Sequence, residues 1–382
     1  VRATDTPVSE KGPLMVSTQS PKSYLAQKPE DYERFGIAPG RIEVREDGMR
    51  TDPAKAGFYE WWYFDAHLDD GSKIVVTFFT KDATASNTGA KPAVEVDLDL
   101  PDGRSLHRRE DFPAHALSAA KDHCDVHIGE NHFAGDLHEY TITATIEDLT
   151  FTAHLTGQTQ PWRSSAGSIY YGTDEEHYFS WLPSVPYGDV ELTYQVGDEP
   201  EVNTKGNGYH DHNWGNASIT SILNNWYWGR GAAGPYTFIT SDIVAEKKYD
   251  YDTVTVFMLA RDGKVIADDG SKVTFAKSEI SDDPVTDKPV ADLHSFTYRD
   301  GDEEYEVSYR REKTIVQSEF IDDVTGFKKL LAKAVHFDGA YLRLTGPVTV
   351  THRVGGKEVE SVTEPAIWEQ MYPGKTRPED KA

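Results

Sequence analysis

An all-β chain of antiparallel hairpins, divided into two β domains, is predicted by three observations. Apolar residues alternate with period two over most of the chain, Asp-Gly and Gly-Gly pairs punctuate it, and amphipathic helices are scarce. Tyr140, Ile142, Ala144 and Ile146 alternate with Thr and Glu, as a half-buried strand requires, and Leu149, Phe151, Ala153 and Leu155 repeat the pattern after a turn at Asp148. Asp70-Gly71, Asp102-Gly103, Asp262-Gly263, Asp300-Gly301 and Gly355-Gly356 each sit between alternating segments. Such pairs accept the positive φ of tight hairpin turns. Many meandering hairpins imply barrels or sandwiches.

In chain order, residues 1–45 read as an N-terminal arm, polar and irregular, with a short helical turn at Pro29-Glu30-Asp31-Tyr32-Glu33. Residues 46–204 form the first β domain and residues 205–378 the second, divided in the polar run that Gly197-Asp198-Glu199-Pro200 opens. A loose echo supports that division: Trp62-Tyr63-Phe64 followed by Thr77-Phe78 resembles Trp226-Tyr227-Trp228 followed by Thr237-Phe238. The best helical stretch is Phe327 to Val335.

Hydrophobic residues make up 38% of the 382 and aromatics 12%, enough for a large core rich in rings. A formal charge of −25 argues against nucleic acid and against anionic membrane surfaces, which need clustered Lys and Arg. No run approaches the ~18 apolar residues of a membrane span. Cys124 is the single cysteine, which excludes an internal disulfide and a cysteine-based zinc cluster. The start at Val1 suggests processing, and Asn216-Ala217-Ser218 is a glycosylation sequon. Secretion is the expectation drawn from these features, with the cytoplasm as the alternative. Nothing in the sequence indicates an oligomeric state.

The chemistry concentrates in Gly208-Tyr209-His210-Asp211-His212-Asn213-Trp214-Gly215. As a strand it places Tyr209, Asp211 and Asn213 on one face and His210, His212 and Trp214 on the other. Neither face carries an aliphatic residue, so this segment is expected to wall an active site. Aromatic residues cluster at Glu60-Trp61-Trp62-Tyr63-Phe64-Asp65, at Tyr178-Phe179-Ser180-Trp181-Leu182-Pro183 and at Asn224-Asn225-Trp226-Tyr227-Trp228-Gly229-Arg230. Each ring is either core packing or part of a π-lined pocket that steadies a passing positive charge.

His210-X-His212 has the spacing of two metal ligands on one strand face, but the glutamate a cupin-type site needs does not follow, so no metal is expected. Gly-X-Ser-X-Gly and phosphate-binding glycine loops are absent from the sequence. The remaining chemistry is acid–base work by Asp211, assisted by Tyr209. A carboxyl group among rings loses solvation and stays protonated to higher pH. The alternative for Asp211 is a structural hydrogen bond to a loop backbone.

Tyr209-His210-Asp211-His212-Asn213-Trp214-Gly215 resembles the signature of the carotenoid 1,2-hydratase (hydroxyneurosporene synthase) family. Glu60-Trp61-Trp62-Tyr63 is similar to that family's N-terminal segment, and Trp226-Tyr227-Trp228-Gly229-Arg230 to its Trp-X-Trp-Gly-Arg element. The wording from Gly208 to Gly215 is closer to the fungal branch, which includes kievitone hydratase and, further off, Diels–Alderases. The resemblance runs in motif order from about residue 55 to 372. It implies two lipocalin-like antiparallel β-barrel domains packed together, with a pocket at or near their junction. It also implies cofactor-independent addition of water to the dimethylallyl double bond of an isoprenoid or prenyl group.

On that resemblance Asp211 is the general acid and Tyr209 its support, while His210 or His212 activates water. Glu60, Trp62, Trp181, Trp226, Tyr227 and Trp228 shape the substrate pocket. Where the carotenoid enzymes carry His two residues before the tryptophan matched by Trp181, this chain has Phe179, and His177 lies two further back. That departure points to a small prenylated aromatic rather than a carotenoid. A pericyclase on the same barrels and a lipocalin-type carrier are the competing expectations.

Overall fold

The computed structural model describes residues 22–319 and 339–381. Among them the strands form two large antiparallel sheets, one of thirteen strands and one of ten. All five Asp-Gly and Gly-Gly pairs lie in hairpin turns, with Gly71, Gly103, Gly263, Gly301, Gly355 and Gly356 at positive φ. The alternating segments are the paired strands Glu139–Ile146 and Leu149–Gly157, whose apolar residues are buried. The helical stretch expected at Phe327 to Val335 lies outside the described residues.

The first sheet runs outward from Val202–Gly215, flanked by Tyr59–Leu68 on one side and His177–Val196 on the other. It curls strongly. Phe78 and Phe133 lie on strands six positions apart, yet their ring centroids are 5.6 Å apart. A flat sheet would separate such strands by roughly 29 Å. The second sheet does the same with Phe257 and Tyr298, at 5.8 Å across six positions. Each sheet encloses its own core, the first lined by Phe64, Phe78, Phe133 and Phe151, the second by Phe238, Phe257, Tyr309 and Trp368. Among the described residues no ladder joins the two edge strands of either sheet.

The sheets change over at residues 216–222, which hold the short helix Ile219–Ile222; Leu223–Ala233 then opens the second sheet. The division expected at residues 204 and 205 falls inside the strand Val202–Gly215. The polar first half of that strand is paired on both sides, with Thr204 opposite Leu192 and Gly206 opposite Leu68.

The described part of the N-terminal arm packs onto the first sheet. Ser23–Leu25 pairs with Ser168–Tyr171, and the helix Pro29–Phe35 ends at Gly36, whose φ of 65° suits a left-handed cap. A one-turn helix, Val44–Asp47, then turns Glu46 and Asp47 inward. Glu46 meets Arg163 at 2.7 Å, with both side chains 5% exposed. Removing one partner of a buried pair strands the other charge. Glu46→Gln is therefore expected to cost about 3–5 kcal/mol, read from the urea midpoint. Glu199→Gln, at the exposed Glu199–Arg104 pair, is expected to leave the midpoint where it is.

Candidate active site

Register decides what faces what. Directly opposed residues of antiparallel strands share a sheet face. Asp211 stands opposite Tyr63 and Pro183, Asn213 opposite Trp61 and Trp181, and His212 opposite Trp62 and Leu182. The two faces of the motif separate as the sequence indicates, and both are buried.

On the Asp211 face lies a cavity of about 320 Å³ between the two sheets. The first sheet contributes Trp61, Tyr63, Phe179, Trp181, Asp211 and Asn213 to its wall; the second contributes Trp226, Trp228, Ser241, Ile243, Glu369 and Met371. Tyr209 stands behind Asp211, fully buried, with the Arg230 guanidinium 5.1 Å from its ring centre.

Asp211 is 6% exposed. Its Oδ2 accepts hydrogen bonds from the Tyr209 hydroxyl at 2.7 Å and from Trp181 Nε1 at 2.8 Å. Its Oδ1 accepts one from Asn213 Nδ2 at 2.6 Å. Burial disfavours the carboxylate more than these donors favour it, so the carboxyl titrates at about 6. It can hold a proton close to neutrality and deliver it within an aromatic enclosure. Glu369 is a second carboxyl group on the same cavity. Burial raises its pKa too, against hydrogen bonds from Trp226 and Tyr341.

The opposite face is a separate network inside the first sheet. His210 Nδ1 lies 2.8 Å from the Tyr63 carbonyl oxygen, which only accepts, so that nitrogen carries a proton. Its Nε2 is 3.2 Å from Asp47 Oδ2, which also accepts from the Tyr140 hydroxyl. His212 Nε2 is 2.7 Å from Glu60 Oε1, and its ring stacks on Trp62 at 4.6 Å. Glu60 also accepts from the Arg50 amide and from the amide and hydroxyl of Thr51. Burial works to raise the Asp47 carboxyl, but His210, His212 and Tyr140 outweigh it and hold it below the usual range.

Several assignments shift accordingly. His210, His212, Glu60 and Trp62 are fully buried and lie behind the central strand, outside the cavity wall, so neither imidazole is placed to activate water there. The tryptophan and tyrosine facing the cavity are the neighbours Trp61 and Tyr63. Tyr227 points into the second sheet, where its hydroxyl accepts from the Ala291 amide at 3.1 Å and its ring packs on His294. His177 pairs with Tyr171 at the start of its strand, away from the cavity wall. Phe179, Trp181, Trp226 and Trp228 do line the cavity. Glu369, Met371 and Asp47 were not singled out by sequence.

Among the described residues, ligand atoms of Asp47, Cys124 and His210 lie within 4.8 Å of one another. Hydrogen bonds already account for this cluster. Asp47 is held by His210 and Tyr140, and burial, then Asp47, pushes the Cys124 thiol well above its ordinary value.

Comparison with known proteins identifies the family. The family model described as Diels-Alderase-like matches residues 45–320. By sequence the chain is similar to the quinolone epoxide rearrangement protein penF of Penicillium thymicola, 25% identical over 246 residues, covering 58% of this chain and 66% of that protein. The corresponding protein asqO of Emericella nidulans matches at 34% over 68 residues, 18% of each chain. The chain thus spans at most about two thirds of the length of these relatives. By structure it is similar to CghA, with a TM-score of 0.61, 16% identity and coverage of 94% of this chain and 100% of that one. It is also similar to kievitone hydratase of Nectria haematococca, with a TM-score of 0.52, 12% identity and coverage of 87% and 96%.

The burial of Asp211 has a stability cost with a definite sign. A carboxyl group that titrates at about 6 in the fold and at ~3.9 unfolded binds more protons folded than unfolded between those values. Stability therefore falls as pH rises through about 4 to 6, and the full cost, up to about 3 kcal/mol, is present above that window. Asp211→Asn escapes it. The variant is expected to match the wild type at pH 4 and to exceed it by up to about 3 kcal/mol at pH 7.5, measured by urea unfolding.

Proposed function

The chain belongs to the Diels-Alderase-like family, and from that premise we propose that it is an enzyme acting on a small apolar substrate by proton transfer from Asp211. The observation that carries this reading is a buried carboxyl group with a pKa of about 6 on the wall of an aromatic cavity. A protein that only carried ligands would gain nothing from the desolvation that Asp211 bears. The hydratase of the fold comparison and the epoxide rearrangement proteins of the sequence comparison are named for reactions that such an acid can serve. We read each curled sheet as a lipocalin-like barrel, with the reaction at their junction.

The reaction we assign is hydration of a trisubstituted alkene on a prenylated aromatic or isoprenoid. The Asp211 proton bonds to the less substituted carbon, the π bond breaks, and a tertiary cation forms. The faces of Trp61, Trp181 and Trp228 hold that charge while excluding other nucleophiles. Water adds to the cation, and its spare proton passes to the Asp211 carboxylate left by the first step, which restores the acid; Glu369 is a second carboxyl group on the same wall. The sum is alkene plus water to tertiary alcohol, and no step calls for a cofactor.

A second reading, cyclisation or rearrangement without net water, is favoured by the family itself and by the placement of His210 and His212 away from the cavity. Incubation with prenylated flavonoids in ¹⁸O-labelled water, followed by mass spectrometry, separates the two. Hydration adds one labelled water, whereas conversion without mass gain rejects it. A general acid typically contributes ~10²–10⁴-fold, so Asp211→Asn is expected to lose about that much turnover. The rate should be highest below pH about 6 and fall above it, as the acid form is lost. A flat profile, or full turnover by Asp211→Asn, overturns the assignment to Asp211.

A further inference from the structure

Beside the aromatic cavity lies a second hollow of about 300 Å³, and the two share Tyr63, Trp228 and Glu369 as walls. Its character is different. Asp65, His67, Asp97, Asp99, Arg230 and Arg343 all face it. Most of these groups have a direct hydrogen-bond partner. Arg230 Nε donates to Asp65 Oδ2 at 3.2 Å, and the two form a buried ion pair. Asp97 is 2.7 Å from His107, and Asp99 accepts from the Ser105 hydroxyl at 2.6 Å.

Arg343 is the exception. Pairing sets it opposite Glu369, which in turn stands opposite Trp228, so the three form a row across the second sheet. Among the described residues its guanidinium makes no hydrogen bond and no ion pair. Tyr341, Tyr63, Glu369 and Asp99 act on it through space and, against burial, raise its pKa. His67 is likewise without a hydrogen-bond partner among the described residues. Burial, then Arg343 and Lys73, lowers its pKa to about 4, so the ring is neutral at pH 7. Arg343 is half-buried, and among the described residues its donors are unused, while a neutral imidazole beside it offers one further donor.

We propose that this compartment binds the acidic oxygen of an amphipathic substrate, a carboxylate or enolate, with Arg343 as counter-ion and His67 as a second donor on the same wall. The apolar remainder lies against Trp228 in the neighbouring cavity. This rests on the reading of that cavity as the substrate pocket, and it narrows the substrate class to molecules with an anionic head and an apolar body.

Trp61, Trp181, Trp226 and Trp228 make the pocket a fluorescence reporter. Titration at pH 7.5 with decanoate, decanol and decylamine, each below its micelle concentration, tests the head group separately from the apolar body. A charge-assisted hydrogen bond predicts that decanoate binds about 10–100-fold more tightly than decanol. Arg343→Gln should abolish that preference while leaving decanol binding within about twofold, which also certifies that the variant is folded. Arg343→Lys should retain part of it, as charge without the planar fork. Equal binding of decanoate and decanol overturns the head-group assignment, as does tighter binding of decylamine or a preference that survives in Arg343→Gln. Quenching by none of the three overturns the pocket reading and the head-group assignment together.

Discussion

A strand segment that is polar on both faces and buried on both depends on partners for its polar atoms, and residues 209–213 of Val202–Gly215 form such a segment. Its ladders to Tyr59–Leu68 and His177–Val196 fix which residues oppose one another. Sliding either neighbour by one residue would exchange the two faces. Trp181 would then leave Asp211, and Glu60 would leave His212. The donors around Asp211 and the acceptors around the two histidines are thus set by one register. Backbone pairing and side-chain hydrogen bonding demand the same alignment, which makes it hard to slip.

The two faces then treat their carboxyl groups in opposite ways. Asp211 and Asp47 are both buried, and burial works to raise the pKa of each. Asp47 meets imidazoles, which can take up charge and stabilise the carboxylate. Asp211 meets a phenol, an indole and an amide, which donate hydrogen bonds but bring no positive charge of their own. Neutral donors offset only part of the desolvation. Hence one carboxyl group moves down and the other up on opposite faces of the same strand, and the one that moves up faces the cavity. Environments that push neighbouring acids apart are how a single fold assigns them different work.

Much of this was legible in the sequence, and what was not has a physical reason. Alternation and Asp-Gly turns located the hairpins because a half-buried strand shows its period. The motif's two-faced character followed from period two alone. Which face opens on the cavity did not, because aromatic residues occupy both faces of Glu60-Trp61-Trp62-Tyr63. With no polar-versus-apolar contrast, parity comes only from the partner strand, so Glu60 and Trp62 were singled out where Trp61 and Tyr63 line the cavity. Tyr227 failed for the same reason between Trp226 and Trp228. Glu369 sits more than 150 residues after Asp211 in a Glu-rich alternating strand, where nothing local distinguishes it from a solvated side chain. The domain boundary was expected in the polar run that Gly197 opens because a strand's outer end and a boundary segment have the same composition.

The location of the cavity follows from where the rings go. Each curled sheet fills its own interior: Phe64, Phe78, Phe133 and Phe151 in the first, Phe238, Phe257, Tyr309 and Trp368 in the second. A third cluster draws on both sheets, with Tyr59 and Tyr209 from the first and Ile239, Ile243 and Met258 from the second. Two convex, twisted sheets cannot mate over their whole surface, and the tryptophans at their junction are too large and rigid to collapse into the gap. The hollow persists there because closing it would require moving whole sheets rather than side chains. An acid placed at that junction is dry without being sealed inside a core, the combination that proton delivery to an apolar molecule requires.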